Sequence, residues 1–336
     1  MHTNNSILMP LTNRLKDESS REFRFLENKF PIVKLLTEKT HPLSALKSFH
    51  FMNLSRETVL PSEVPSSQRR VVGTAIDYRI RYYFDITSST ELAAYRGARV
   101  ANKLYYHPMT GECISPIFPA DFTANFFKNL ENTLKRIKPV NRLLDQISEE
   151  LLARYCVILA YFEALFRAGR SINSPLRTLS QKATLQDLLN LPEPSFIKDV
   201  MDLSKSFYED AKSLFDKPCK LNPTFDGTND IGGADADFIL EDTLYEIKTV
   251  SDLNPSCFRE AIYQLLGYVL LDYSDSHHIR KIGIYFTRQR QFWSIPLYLF
   301  LIPHASLSQS SSWKPESEKE IKKQLSFLRR EFKQLL

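Results

Sequence analysis

Cysteine is scarce in this sequence, and the few cysteines that it has lie far apart. There are four in 336 residues, Cys113, Cys156, Cys219 and Cys257, and no two of them form a C-x-x-C pair. Disulfide frameworks, zinc sites and iron–sulfur clusters need closely spaced cysteines or cysteine–histidine sets. The sequence therefore favours a protein without disulfides or such clusters, in a reducing cytoplasm.

Long apolar runs are also missing. The longest, around residues 156–166, is interrupted by Glu163, and another covers residues 295–302. A membrane-spanning helix needs about 20 apolar residues, so both runs are too short. The first twenty residues lack the basic and apolar segments of a secretory signal. We expect no association with a membrane.

Glycine signatures of nucleotide binding and of serine hydrolases are absent. The nine glycines form no P-loop, no Rossmann fingerprint and no G-x-S-x-G elbow. Three of them, Gly227, Gly232 and Gly233, cluster ahead of a predicted strand. This clustering predicts a tight turn or a close approach to a ligand, and a plain connecting loop is the alternative.

Charge is unevenly distributed along a chain whose net charge is +5. Residues 224–247 contain seven acidic residues and neither lysine nor arginine. A solvated loop would explain this pattern. A site for a hard cation that faces a polyanion would explain it as well, because Mg²⁺ binds carboxylate oxygens and phosphates attract the surrounding basic residues.

The spacing of apolar residues predicts an α/β protein in three parts. Residues 1–218 form a mostly helical region, with helices at 73–85, within 121–170 and at 194–215, and segments 73–85 and 150–170 are candidates to pack on the core. Residues 219–300 form a mixed central sheet flanked by helices, with strands at 238–240, 244–250, 282–287 and 291–295. A helix capped by Asn254 separates the second and third of these strands. Residues 301–336 end in an amphipathic helix.

The stretch GGADADFILEDTLYEIKTV, residues 232–250, predicts a β-hairpin with Glu241 and Asp242 in its turn. This register places Asp237 opposite Glu246, with their Cβ atoms roughly 4.5–5.5 Å apart. Two opposed carboxylates repel each other unless a cation or a proton lies between them. Lys248 shares the face of Glu246, and Asp235 shares that of Asp237 and is the alternative ligand.

Asp237 followed by Glu246, Ile247 and Lys248 resembles the signature of the PD-(D/E)XK nuclease superfamily. Two further elements resemble its RecB-like clade. YQLLGY contains a Q-x-x-x-Y pair in Gln264 and Tyr268, and residues 73–77, GTAID, resemble G-T-x-x-H with Asp77 in place of histidine. The clade's iron–sulfur cysteines are absent. The resemblance implies a restriction-endonuclease-like core.

Further candidates are Glu163, Arg288 and Arg290. Glu163 interrupts an apolar helix, so it is the alternative to Asp77 as the upstream metal ligand; an ion pair with Arg167 at i,i+4 is the competing explanation. Arg288 and Arg290 occupy a turn between two strands, where they could contact phosphate or simply form a charged hairpin tip.

These inferences predict a Mg²⁺- or Mn²⁺-dependent nuclease acting on DNA, in a setting such as host defence or a mobile element. The resemblance implies that Asp237, Glu246 and the Ile247 carbonyl hold the metal, that Lys248 acts on the attacking water, and that Gln264 and Tyr268 position the substrate. The helical region is expected to clamp DNA or to bind a protein partner. The alternatives are a non-catalytic nucleic-acid-binding module and a helical interaction protein.

Overall fold

The structure is a computed structural model, and it describes residues 10–38, 57–61, 63–85, 93–102, 105–106, 113–114, 116–119, 121–137, 142–167, 174–180, 182–301 and 318–336. The chain divides into two compact units. The sheet unit consists of Met1–Glu57 and Asp216–Leu336, and the helical unit is Thr58–Phe215.

The sheet unit begins with three short helices, α1 (Leu11–Arg14), α2 (Arg21–Lys29) and α3 (Ile32–Glu38). Ser20 starts α2, since its side chain accepts a hydrogen bond from the backbone N–H of Phe23. Leu11 and Leu26 are fully buried in the core that covers the sheet. The later boundary, between Phe215 and Asp216, lies close to the predicted one at residue 218. The prediction that residues 1–57 belong to the helical region needs correction, because the N-terminal helices bury their apolar faces in the core of the sheet unit.

The helical unit contains six α-helices and a short hairpin in its described part. They are α4 (Arg69–Phe84), α5 (Ala93–Ala101), α6 (Phe122–Arg136), α7 (Gln146–Arg167), α8 (Leu185–Asn190) and α9 (Pro194–Ala211), with β1 (Tyr105–Tyr106) pairing with β2 (Cys113–Ile114). The helices predicted at 73–85, within 121–170 and from residue 194 are confirmed. Helix α5 packs closely on α7 because Gly97 has no side chain: a Cβ there would lie 1.8 Å from the carbonyl oxygen of Phe162.

Five strands form the sheet in chain order. They are β3 (Cys219–Leu221), β4 (Phe238–Leu240), β5 (Thr243–Lys248), β6 (Lys281–Phe286) and β7 (Gln291–Pro296). Neighbouring strands are antiparallel except β5 and β6, which are parallel. The predicted mixed sheet and four of its strands are confirmed. Strand β3 was not predicted, since a three-residue edge strand carries too short a pattern to detect.

Helix α10 (Pro255–Leu271) connects the parallel strands β5 and β6, which a tight turn cannot join. Asn254 caps it by accepting a hydrogen bond from the N–H of Cys257 at 2.9 Å, and Pro255 occupies the first turn. Most of its side chains are buried, because the helix lies between the sheet and the N-terminal helices.

The last helix, α11 (Glu318–Leu335), packs on α10. Its predicted amphipathic character is confirmed, since Leu325 and Phe332 are buried and Ile321 and Leu328 pack beside them. Residues 302–317 lie outside the described part of the chain. None of the described helices has the length and apolarity needed to cross a membrane.

Candidate functional site

The hairpin has the predicted register. Leu240 pairs with Thr243, Ile239 with Leu244, and Phe238 with Tyr245. Asp237 precedes the first paired residue of β4, so continuing the register brings it opposite Glu246. One carboxylate oxygen of Asp237 accepts the backbone N–H of Ile247 at 2.7 Å. This hydrogen bond crosses between the two chain segments and holds the Asp237 carboxylate at the end of the hairpin.

The carbonyl oxygen of Asp237 is also held, by the backbone N–H of Asn222 at 3.0 Å. Asn222 has a positive φ of 45°, a conformation that asparagine tolerates better than most residues. Sequence patterns did not point to Asn222, although an Asn-Pro pair is a turn signal.

Lys248 connects the hairpin to helix α10. Its ammonium donates hydrogen bonds to Glu246 Oε1 at 2.9 Å and to Gln264 Oε1 at 3.0 Å. Burial alone would lower the pKa of this lysine, but the attraction and hydrogen bond of Glu246 and the charge of Asp237 outweigh burial and raise it above its ordinary value. Lys248 is therefore a protonated donor at neutral pH.

Gln264 and Tyr268 extend this chain of hydrogen bonds. The Gln264 side-chain NH₂ donates to the Tyr268 hydroxyl at 2.8 Å, which donates to the backbone carbonyl of Asp235 at 3.1 Å. The orientation of the Gln264 amide follows from chemistry: an ammonium only donates, so the amide oxygen must face Lys248. The chain links the lysine to the backbone two residues before Asp237.

Tyr268 supports the site from inside. Its side chain is 2% exposed and its ring stacks on Phe225 with centroids 5.5 Å apart. Burial, with a further contribution from the charge of Glu246, raises its pKa well above the ordinary value, so the phenol stays protonated and can donate. The predicted contact between Tyr268 and a substrate does not agree with this burial and is replaced by a supporting role.

The donor atoms suit a hard cation. Asp237 and Glu246 supply carboxylate oxygens from neighbouring segments, and Ile247 lies beside them in β5. The described residues include no group of three or more histidine, cysteine, aspartate or glutamate side chains placed to hold a metal. Mg²⁺ needs no such group, because it commonly uses one or two carboxylates and completes its shell with water and phosphate oxygens. The residues present therefore fit Mg²⁺ or Mn²⁺.

The two candidates for an upstream ligand, Asp77 and Glu163, belong to the helical unit. The competing explanation for Glu163 is present: its carboxylate accepts a hydrogen bond from Arg167 at 2.6 Å, and its other oxygen accepts one from the Tyr78 hydroxyl. Asp77 is half-buried on α4. A third carboxylate beside Asp237 and Glu246 stays a prediction.

Arg288 and Arg290 occupy the turn between β6 and β7, as predicted. The carboxyl ends of the parallel strands β5 and β6 meet at one sheet edge, so this turn follows the strand next to Lys248. Arg288 is only 1% exposed, which does not agree with a charged tip in solvent or with direct contact to a substrate. Arg290 is half-buried and has a positive φ of 56°.

Comparisons of the chain with protein-family models, with curated protein sequences and with solved structures gave no match.

Proposed function

We propose that the protein is a Mg²⁺- or Mn²⁺-dependent nuclease that hydrolyses phosphodiester bonds in DNA. The observation that carries this proposal is the position of Lys248, which is hydrogen-bonded to Glu246 on its own strand and to Gln264 on α10. Asp237 lies at the same end of the hairpin. Two carboxylates with a protonated lysine beside them form a set of groups suited to hydrolysis of a phosphate ester.

Each residue has a distinct proposed role. Asp237, Glu246 and the carbonyl of Ile247 would hold the cation, which when bound supplies a more acidic water and offsets charge on the phosphate. Lys248 would donate a hydrogen bond to the attacking water or to the developing oxyanion. Two of its three N–H groups donate to Glu246 and Gln264, and these hydrogen bonds fix the orientation of the ammonium group.

The fold adds support to this proposal. The resemblance implies a mixed sheet flanked by helices with the acidic residues on neighbouring strands, and the arrangement of β4, β5 and α10 is compatible with a restriction-endonuclease-like core. Arg290 is the remaining candidate for a contact with substrate phosphate, and the helical unit is the proposed clamp for DNA or partner surface.

The test uses purified full-length protein with linear, circular and single-stranded DNA, each with and without Mn²⁺. Wild type should cleave at least one of them only with metal, whereas Lys248→Met and Glu246→Gln should not. Lys281→Met is the matched control, because Lys281 is an exposed lysine at the other end of the neighbouring strand β6. Absence of cleavage on every substrate, or equal cleavage by Lys248→Met, would refute the proposal.

A non-catalytic nucleic-acid-binding module is the second candidate. The observation in its favour is that Lys248 already neutralises Glu246 within the described part of the chain, which suits a static structure as well as a catalyst. Binding of DNA without cleavage in any metal, unchanged in Lys248→Met, would support this candidate.

A further inference from the structure

The segment that leaves Lys248 is tied to the turn between β6 and β7. The backbone N–H of Thr287 donates to the carbonyl of Lys248 at 3.0 Å, and the Thr287 hydroxyl donates to that of Thr249 at the same distance. These bonds extend the pairing of the parallel strands past the last residue of β5 and fix the main chain of Lys248 at the sheet edge.

Gln289 holds the next two residues. Its side-chain Nε2 donates to the backbone carbonyl of Val250 at 3.0 Å and to that of Ser251 at 3.2 Å. An amide NH₂ has two N–H groups, so one side chain can serve both carbonyls. The loop held in this way runs from Lys248 to the cap of α10 at Asn254, and α10 carries the Gln264 side chain that Lys248 contacts.

This arrangement leaves one polar atom of Gln289 without a hydrogen bond in the described part of the chain. Its amide oxygen is buried and has no hydrogen-bond partner among the described residues. Reversing the amide would not help, because the oxygen would then face two carbonyl oxygens. A buried acceptor without a partner lowers stability, and in a native structure it calls for an explanation other than stability.

We propose that Gln289 is a positioning residue that sets the distance between Lys248 on β5 and Gln264 on α10. The inference rests on the proposed function, since it assigns a second residue to the nuclease reaction. The amide holds the loop between strand and helix in one conformation, and the lysine is thereby kept between Glu246 and Gln264. Gln289 does not touch the reacting atoms.

Two variants separate this role from ordinary loop stability. Gln289→Met keeps the length of the side chain but removes both donors and the unpartnered oxygen. Gln289→Glu keeps the shape and turns an acceptor toward the two carbonyls. Gln334→Met, the same change at an exposed position of α11, is the matched control. For both variants at position 289 we expect kcat for DNA cleavage to fall at least tenfold while KM stays within twofold.

The thermal midpoint of Gln289→Met should stay close to that of wild type, because removal of the buried unpartnered oxygen offsets the loss of the two hydrogen bonds to Val250 and Ser251. If the hydrogen bonds of Gln289 only stabilise the loop, the thermal midpoint should fall and kcat should not change. A contact between Gln289 and DNA predicts a higher KM. Either result would overturn the proposal.

A second measurement does not depend on nuclease activity. Acetylation of lysines by an N-hydroxysuccinimide ester, followed by peptide mass spectrometry, reports how firmly each amine is held. Lys248 should react several-fold faster in Gln289→Met than in wild type, while Lys281 reacts at the same rate in both. Equal rates at Lys248 would refute the positioning role. If wild type cleaves no DNA, the proposed function fails, and the acetylation rates still decide whether Gln289 positions Lys248.

Discussion

Replacing Lys248 by methionine should destabilise the sheet unit as well as abolish activity. Lys248 and Glu246 form an ion pair at 2.9 Å whose side chains are 23% and 10% exposed. A hydrogen bond to a charged group contributes about 1.5–3 kcal/mol, and removing one partner leaves the other charge partly buried near Asp237. We therefore expect Lys248→Met to lower the free energy of unfolding by about 2–3 kcal/mol.

Glu246→Gln should cost less, about 1 kcal/mol or below, because it weakens the hydrogen bond from Lys248 but removes the repulsion between Glu246 and Asp237. The double variant should be more stable than the two single losses predict when added, with a coupling energy of about 1–2 kcal/mol. Urea unfolding of wild type, the two single variants and the double variant measures this coupling energy.

Metal binding distinguishes the proposed role of Lys248 from that of Glu246. Calorimetric titration with Mn²⁺ should detect binding to wild type and to Lys248→Met but not to Glu246→Gln, because only the last change removes a proposed ligand. A coupling energy near zero would show that the ion pair between Lys248 and Glu246 does not stabilise the sheet unit. A Lys248→Met protein that is destabilised yet fully active would refute the catalytic role.

Three other changes test a close helix contact, a buried ion pair and a strained backbone conformation. Gly97→Ala should destabilise the helical unit by about 2–4 kcal/mol or prevent its folding, because its Cβ would lie 1.8 Å from the backbone oxygen of Phe162. Arg329→Met should cost about 3–5 kcal/mol, because Arg329 lies 3.5 Å from the carboxylate of Asp272, which is 0% exposed and would lose this cation. Glu241→Gly should exceed Glu241→Ala in stability by about 1 kcal/mol, because residue 241 has a φ of 55°. Denaturant unfolding curves measure all three.

Each of these changes has a control or a contrary outcome. Arg99→Ala, on the exposed side of α5, should leave stability nearly unchanged, and an equal loss there would remove the argument from close packing. Arg330→Met is the control for Arg329→Met, because Arg330 is exposed on α11 and its loss should leave stability nearly unchanged. The two variants at position 241 both lose the exposed ion pair with Lys217, so equal stability of the pair would contradict the argument from backbone strain.

Local features were predictable from the sequence because their causes lie within a few residues. The cap and first proline of α10 depend on side chain to backbone contacts inside one turn. The register of Asp237 and Glu246 follows from a two-residue turn and from alternation along the strands. The i,i+4 spacing alone made the ion pair of Glu163 and Arg167 a candidate.

Other features depend on contacts between distant parts of the chain. Leu11 and Leu26 pack in the core of a sheet that begins about two hundred residues later, and no short-range pattern records this. Burial of Tyr268 and Arg288 was missed for the same reason, since an aromatic or charged residue can face solvent or core according to what packs on it. The sequence by itself predicted six of the described helices (α4, α6, α7, α9, α10 and α11), the hairpin register and the residue types at its end. Only the tertiary structure decided that Gln264 meets Lys248, because packing of α10 on the sheet brings a helix and a strand end together.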